Sequence, residues 1–253
     1  MATIQSEFGK IFRIEDFLGG EDIIANTAVS RQFGTAGFRV IGQGSEEADS
    51  GITSLETDPN LNGVGVFTTT NEADHSLGIC TSKMFDVTLN GGFVAECRVQ
   101  FADLDYKQFY FGFTDHNDDT AILEGETILG SSTTLTLSAS DLCGFLYSAE
   151  LTEDEMWHMP YNGGTTAGET DSTEVESGVD AVAGEWDILR IEVDPNGTAR
   201  WYVNGVLKQT QAGAVSLTTD LALLAMVECK DTAAIEYAKV DYVAYRFNRD
   251  WTK

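Results

Sequence analysis

A chain of 253 residues with 41 Asp and Glu against 15 Lys and Arg carries a formal net charge of -26. Such a surface repels phosphate backbones and anionic lipid, so the sequence predicts neither a nucleic-acid partner nor a membrane one. Three Pro, 25 Gly and 42% hydrophobic residues describe a globular chain with many short turns. Its length lets it bury about 70–75% of its unfolded surface without cross-links.

The start, "MATIQSEFGKIFRIEDFLGG", lacks the basic residues and apolar core of a secretory signal, so synthesis without a leader is expected. Ile11, Ile14 and Leu18 are spaced for a helix ending at Gly19-Gly20, but a strand over 12–18 suits them equally. Residues 1–30 are predicted to form an arm or first strand, and 31–253 a single domain. Ile11, Phe12, Ile14, Phe17 and Leu18 are the candidate contact residues of that arm. "GQGSEEADSG" (42–51) reads as a loose polar loop.

Strands dominate the remainder of the chain. In "GGFVAECRVQF", Phe93, Ala95, Cys97, Val99 and Phe101 fall on one face and polar residues on the other. "QFYFGFTD" comes six residues later, and the two are expected to pair as a hairpin. "SSTTLTLS", "LCGFLYSAEL", "DILRIEVD", "ARWYV", "GVLKQT", "LALLAMVEC" and "IEYAKVDYVAYRF" are further strands. "LTEDEMWHM" opens with the capping-box pair Thr152 and Glu155, which predicts a short helix or a single turn. "YNGGTTAGETDSTEVESGVD" (161–180) is long and acidic and reads as a loose loop. From Gln108 to Leu189 there are seventeen acidic residues and neither Lys nor Arg. Cys80, Cys97, Cys143 and Cys229 each lie in an apolar run with no CxxC spacing, as expected of buried thiols. Many short strands with few helices predict an all-β antiparallel sandwich of jelly-roll type.

The stretch 184–210, "GEWDILRIEVDPNGTARWYVNGVLKQT", carries a resemblance. Gly184, Trp186, Asp194, Asn196, Gly197, Trp201, Tyr202, Asn204 and Gly205 resemble the Gly-x-Trp strand, Asx-Gly turn and aromatic strand of the concanavalin A-like lectin/glucanase superfamily. The two strands from Phe93 to Asp115 and "YAKVDYVAYRF" resemble its central and closing strands. Glu15-Asp16-Phe17 is also similar to the opening of such domains in tailed bacteriophages, many of them virion structural proteins.

The resemblance implies two chemistries to look for. Retaining glucanases of the superfamily carry Glu-x-Asp-x-x-Glu on one strand, with the two catalytic carboxyl groups about 5–5.5 Å apart across a cleft. The nearest match here, Glu185 to Arg190, ends in Arg and lies on the Gly-x-Trp strand. The chain is therefore read as non-enzymatic. Lectins of the superfamily hold sugars with loop residues and an aromatic, which makes Trp157 and Tyr161 candidate glycan contacts, while Trp186 and Trp201 read as core.

One calcium candidate rests on spacing alone. Asp115, Asn117, Asp119 and Glu126 sit at positions one, three, five and twelve of a calcium loop, but Thr120 occupies the sixth position, where an EF-hand needs Gly. No other cofactor is expected. His75, His116 and His158 are isolated in sequence, and no nucleophile–base pattern accompanies them. The expected function is a decoration or cement protein on the exterior of a phage capsid. Its partners would be the major capsid protein or other virion proteins, with self-association into a homo-oligomer. Carbohydrate attachment is the alternative.

Overall fold

The structure is a computed structural model that describes residues 9–18, 23–24, 32–34, 36–45, 47, 49–54, 63–231 and 234–249. Strands are numbered in chain order. Sheet A runs β18 (Val206–Gln211), β17 (Ala199–Val203), β16 (Trp186–Val193), β8 (Phe93–Gln100), β20 (Tyr237–Asn248), β6 (Gly65–Thr68), β5 (Gly51–Ser54), β2 (Ile23–Ile24). β1 (Lys10–Glu15) pairs with the second half of β20, beyond β6. Sheet B runs β15 (Glu176–Asp180), β13 (Met156–His158), β12 (Leu142–Ser148), β9 (Lys107–Thr114), β19 (Ala222–Cys229), β7 (Ser76–Thr81), β4 (Phe38–Ile41), β3 (Gln32–Phe33). β14 (Tyr161–Asn162) pairs with β12, and β10 (Ile128–Ser131) and β11 (Thr134–Leu137) form a separate hairpin. The one α-helical turn among the described residues, α1 (Val87–Asn90), is capped by Asp86, whose carboxylate accepts from the Leu89 amide. Among the described residues no helix is long and apolar enough to cross a membrane.

Alternation sets the layers. In β8 the residues at odd positions from Phe93 to Val99 are buried and those between them half-buried, so one face enters the core and the other meets solvent. Phe109, Phe111 and Phe113 of β9 face them from sheet B; the Phe93 and Phe113 rings lie 4.5 Å apart. Two tryptophans join the sheets through polar bonds. Trp157 Nε1 donates to Asp187 at 2.9 Å, and Trp201 Nε1 donates to the Gly144 carbonyl at 2.8 Å.

β8 and β9 do not form the expected hairpin. Each joins a different sheet, and the link between them carries the chain across the sandwich with Phe101 buried against Tyr147 and Trp157. Six polar and turn residues look like a hairpin loop whether the chain reverses within a sheet or crosses to another.

The meander from β16 to β18 agrees with the sequence. Asn196 Oδ1 accepts from the Thr198 amide, while Asn204 and Gly205 both take positive φ (52° and 78°), the pair of left-handed residues a tight hairpin needs. Of the two forms expected after Thr152, a short helix or a single turn, the chain takes the turn and then enters β13, because burying Trp157 and pairing His158 with Leu146 favour a strand there. The 161–180 stretch is built rather than loose. It holds β14, a 3-10 turn at Ser172–Val175 and β15, and its Thr166 and Ser172 amides donate to Gly213 and Thr133 carbonyls. The four cysteines are free and buried.

Candidate functional site

Each sheet has an outer face, and the two differ. On sheet B, every residue of β7, β9, β12 and β19 is buried, so both faces are covered. The cover is the chain between β9 and β12, which buries Ala121, Leu123, Ile128 and Leu135. Outward-facing polar side chains of the sheet hold its backbone. Gln108 donates to the Ile128 carbonyl at 2.6 Å and accepts from the Gly130 amide at 3.0 Å. Ser148 donates to the Gly130 carbonyl at 2.9 Å. Glu228 accepts from the Leu123 amide at 2.6 Å and from the Ser76 hydroxyl at 2.7 Å. At the middle of the sheet the hydroxyl end of the Tyr110 ring packs on Gly144, where a Cβ would come within 2.5 Å of it.

A buried ammonium anchors this cover. Lys230 Nζ lies 2.6 Å from Glu124, 3.0 Å from Asp74, 3.5 Å from Glu228 and 3.7 Å from Glu150. Burial disfavours the ammonium, but the bonds to Glu124 and Asp74 and the charge of Glu228 outweigh it and raise its pKa. Burial likewise pushes the Glu228 carboxyl up to about 7, against the pull of Lys230 and Ser76. The donor group Asp74, Glu124 and Glu228 could hold a cation, and Lys230 sits in it. Lys107 makes a similar buried pair with Glu236 at 2.6 Å. No sequence motif marks these pairs, since apart from Glu228 beside Lys230 their members lie far apart along the chain.

The calcium candidates separate in space. Asp115 accepts from the Asp141 amide, the Asn117 carbonyl accepts from Arg39, and Asp119 pairs with Arg39 at 3.3 Å. Glu126 instead meets His116 and Asp118, with donor atoms all within 4.8 Å. His116 Nδ1 and Glu126 Oε2 stand 3.6 Å apart, and neither has a hydrogen-bond partner among the described residues. One imidazole with two carboxylates suits a first-row transition ion better than the all-oxygen shell of calcium. Among the described residues, Asp115 and Asp119 do not join Glu126 in a group of donor atoms within 4.8 Å of one another; His116 and Asp118 do.

The glycan candidates lie in the interior. Trp157 is 1% exposed and packed against Phe101, Phe109 and Tyr147; Tyr161 is 6% exposed and packed near Trp201. Neither offers a ring face to a sugar. Asp187, the middle acid of the glucanase-like match, is buried and holds Trp157 and Asn204. Trp186, expected in the core, lies half-buried on the outer face of sheet A under the Arg98 guanidinium at 4.6 Å.

That outer face is open. Register places Ile14, Ala244, Glu96, Arg190 and Tyr202 in one row across β1, β20, β8, β16 and β17. The next row reads Phe12, Arg246, Val94, Glu192 and Arg200. Between them a depression of about 260 Å³ opens above Ala244. The arm candidates divide here. Phe17 is buried against Phe33 and Phe67, and Ile11 packs on the core, whereas Ile14 (42% exposed) and Leu18 (54%) face outward and Phe12 lines the depression. Phe17 holds φ 54° and its amide meets Glu15, so the Glu15-Asp16-Phe17 motif forms a structural corner.

Solved structures share this architecture. A Bacillus licheniformis β-glucanase superposes with a TM-score of 0.55 at 14% identity, covering 95% of this chain and 98% of its own. Peanut lectin with a 9-mer peptide gives 0.55 at 13%, covering 94% and 97%. A carbohydrate esterase from the Shiga toxin-encoding bacteriophage phi24B gives 0.50 at 14%, covering 93% and 99%. The chain therefore has the concanavalin A-like lectin/glucanase fold, an antiparallel jelly-roll sandwich; at such identities the likeness is one of fold. No family model matches the sequence, and no curated protein does.

Proposed function

We propose that this chain is a non-enzymatic binding protein that decorates or cements the exterior of a tailed-phage capsid. The observation that carries the binding reading is the sealed outer face of sheet B. The one carboxylate that β4, β7, β9, β12 and β19 present there, Glu228, is tied to Lys230, Ser76 and the covering backbone. Binding then falls to the open face of sheet A and the exposed Ile14 and Leu18 beside it. The capsid assignment rests on the phage-like opening Glu15-Asp16-Phe17 and on a charge of -26, which is better placed away from packaged DNA. Major capsid protein, or another virion protein, and a second copy of the chain are the partners of this reading. Cosedimentation with purified particles tests it: retention on wild-type particles and its loss with Ile14→Asp plus Leu18→Asp is expected, and a chain that stays in solution overturns it.

Carbohydrate attachment is the second reading, favoured by the lectin among the structures of this fold. A sugar would have to meet the half-buried aromatics of the open face, Trp186, Tyr202 and Tyr242, since Trp157 is enclosed. A glycan array in which Trp186→Ala abolishes a signal would support it, and a blank array would dispose of it.

A further inference from the structure

The outer face of sheet A gathers cations on a molecule of net charge -26. Six of the chain's 15 Lys and Arg lie at its outward positions: Lys10, Arg98, Arg190, Arg200, Lys239 and Arg246. On β8 and β16 the outward acids are Glu96 and Glu192. Most of these cations are already engaged. Arg98 pairs with Asp241 at 2.6 Å, Arg200 with Asp194 at 2.5 Å, and Arg190 with Glu192 and, at 3.6 Å, Glu96. Arg246 is exposed and has no carboxylate within ion-pair distance among the described residues. The Arg190 Nε–H is buried and has no partner among the described residues.

Arg190, Arg246 and Glu96 border the depression at Ala244, with Phe12 and Val94 as its apolar lining; Glu96 is paired with Arg190, which leaves Arg246 as its unpaired charge among the described residues. Its size, about 260 Å³, is below that of drug-sized pockets and suits one side chain. Ala244 creates it, as a small residue between the larger Tyr242 and Arg246 on the same strand face. Ile14 extends the apolar surface along the row.

We infer that this face docks an acidic polypeptide segment of a partner protein, with one apolar side chain in the depression and a flanking carboxylate on the exposed Arg246. The inference deepens the proposed protein-binding function and rests on it. Charge complementarity selects the partner. An acidic segment is repelled by most of this molecule, but screening over about 8 Å at physiological salt leaves the local cations to decide. An apolar slot between guanidiniums matches an acidic segment with a hydrophobic anchor better than a bare polyanion, whose charges would meet Glu96 and Glu192 without filling the slot.

The test uses the full chain and a fluorescent nine-residue Asp/Glu peptide with one central Leu. Parallel arms contain the Leu→Ser peptide, the same peptide with Lys for each acid, phosphatidylserine vesicles and duplex DNA. Binding of the Leu-containing acidic peptide is expected, weakened at least tenfold by Arg246→Glu and by Ala244→Phe, which fills the depression. Failure to bind it, indifference to both substitutions, or equal retention of vesicles or DNA overturns the inference. If Ala244→Phe does not fold, Arg246→Glu at an exposed position decides alone. Particles still bound by Arg246→Glu would sink the docking site and leave capsid decoration standing. Peptide binding by a chain that ignores particles would do the reverse.

Discussion

The two outer faces of this sandwich are built from the same alternation, yet one is closed and the other open. On sheet A, β8 and β16 alternate buried with half-buried residues, and among the outward side chains Arg190 pairs with Glu96 and Glu192. On sheet B the outward side chains are mostly small or capable of hydrogen bonding to backbone: Gly78, Gly112, Gly144, Ser76, Ser148, Gln108. Small residues let another layer approach, and polar ones satisfy the amides and carbonyls of an irregular segment that would otherwise be buried without partners. What a sheet presents outward thus decides whether it is a surface or a second interior.

The largest test of that contrast is Lys230→Met. It leaves Glu228 buried without its cation, and a loss of about 3–5 kcal/mol is expected from denaturant unfolding; a change under about 1 kcal/mol would show that the seal does not depend on the ammonium. Pairing it with Glu228→Gln should recover part of the loss. Next is Leu123→Ala in the covering segment, a fully buried side chain, with an expected cost of about 2–4 kcal/mol.

A third test uses pH. His158 faces outward from sheet B, is fully buried, and neither ring nitrogen has a partner among the described residues. Burial lowers its pKa from 6.5 to about 4. The unfolded chain then binds the extra proton first, so this contribution is complete above pH 6.5 and declines as pH falls toward 4. The difference between pH 7.5 and 4.5 is about 2–3 kcal/mol. In urea midpoints, His158→Leu should show a shallower loss than wild type across that window. An equal loss in both would assign the acid sensitivity to carboxylates alone. The smallest effect belongs to the open face. Ile14→Asp should change stability by less than about 0.5 kcal/mol, and a larger cost would mean that β1 is covered.

Much of the fold was legible. Alternation over Phe93–Phe101 and Val243–Phe247 identified strands and their inward faces, and the turns at Asn196-Gly197 and Asn204-Gly205 marked the β16–β18 meander. Legibility failed where two structures share one local pattern. The 101–106 link could reverse or cross, and Thr152 with Glu155 could cap a helix or begin a turn into β13. It failed again at the candidate sites. Trp157 read as a loop aromatic because it lies beside the 161–180 stretch, yet its partners, Phe101, Tyr147 and Asp187, come from three other segments.

The sequence by itself determined the all-β class, the inward faces of most long strands, the buried thiols and the acidic character, because each depends on residues two to four positions apart or on simple sums. Only the tertiary structure decided that the segment after β9 closes sheet B, that Lys230 gathers Asp74, Glu124, Glu150 and Glu228, and that Ala244 lies beneath a depression walled by β1, β8 and β16. Those features depend on which strands become neighbours. In a jelly roll, neighbouring strands are separated by tens to hundreds of residues, as Phe12 and Arg246 are, so no local pattern encodes them.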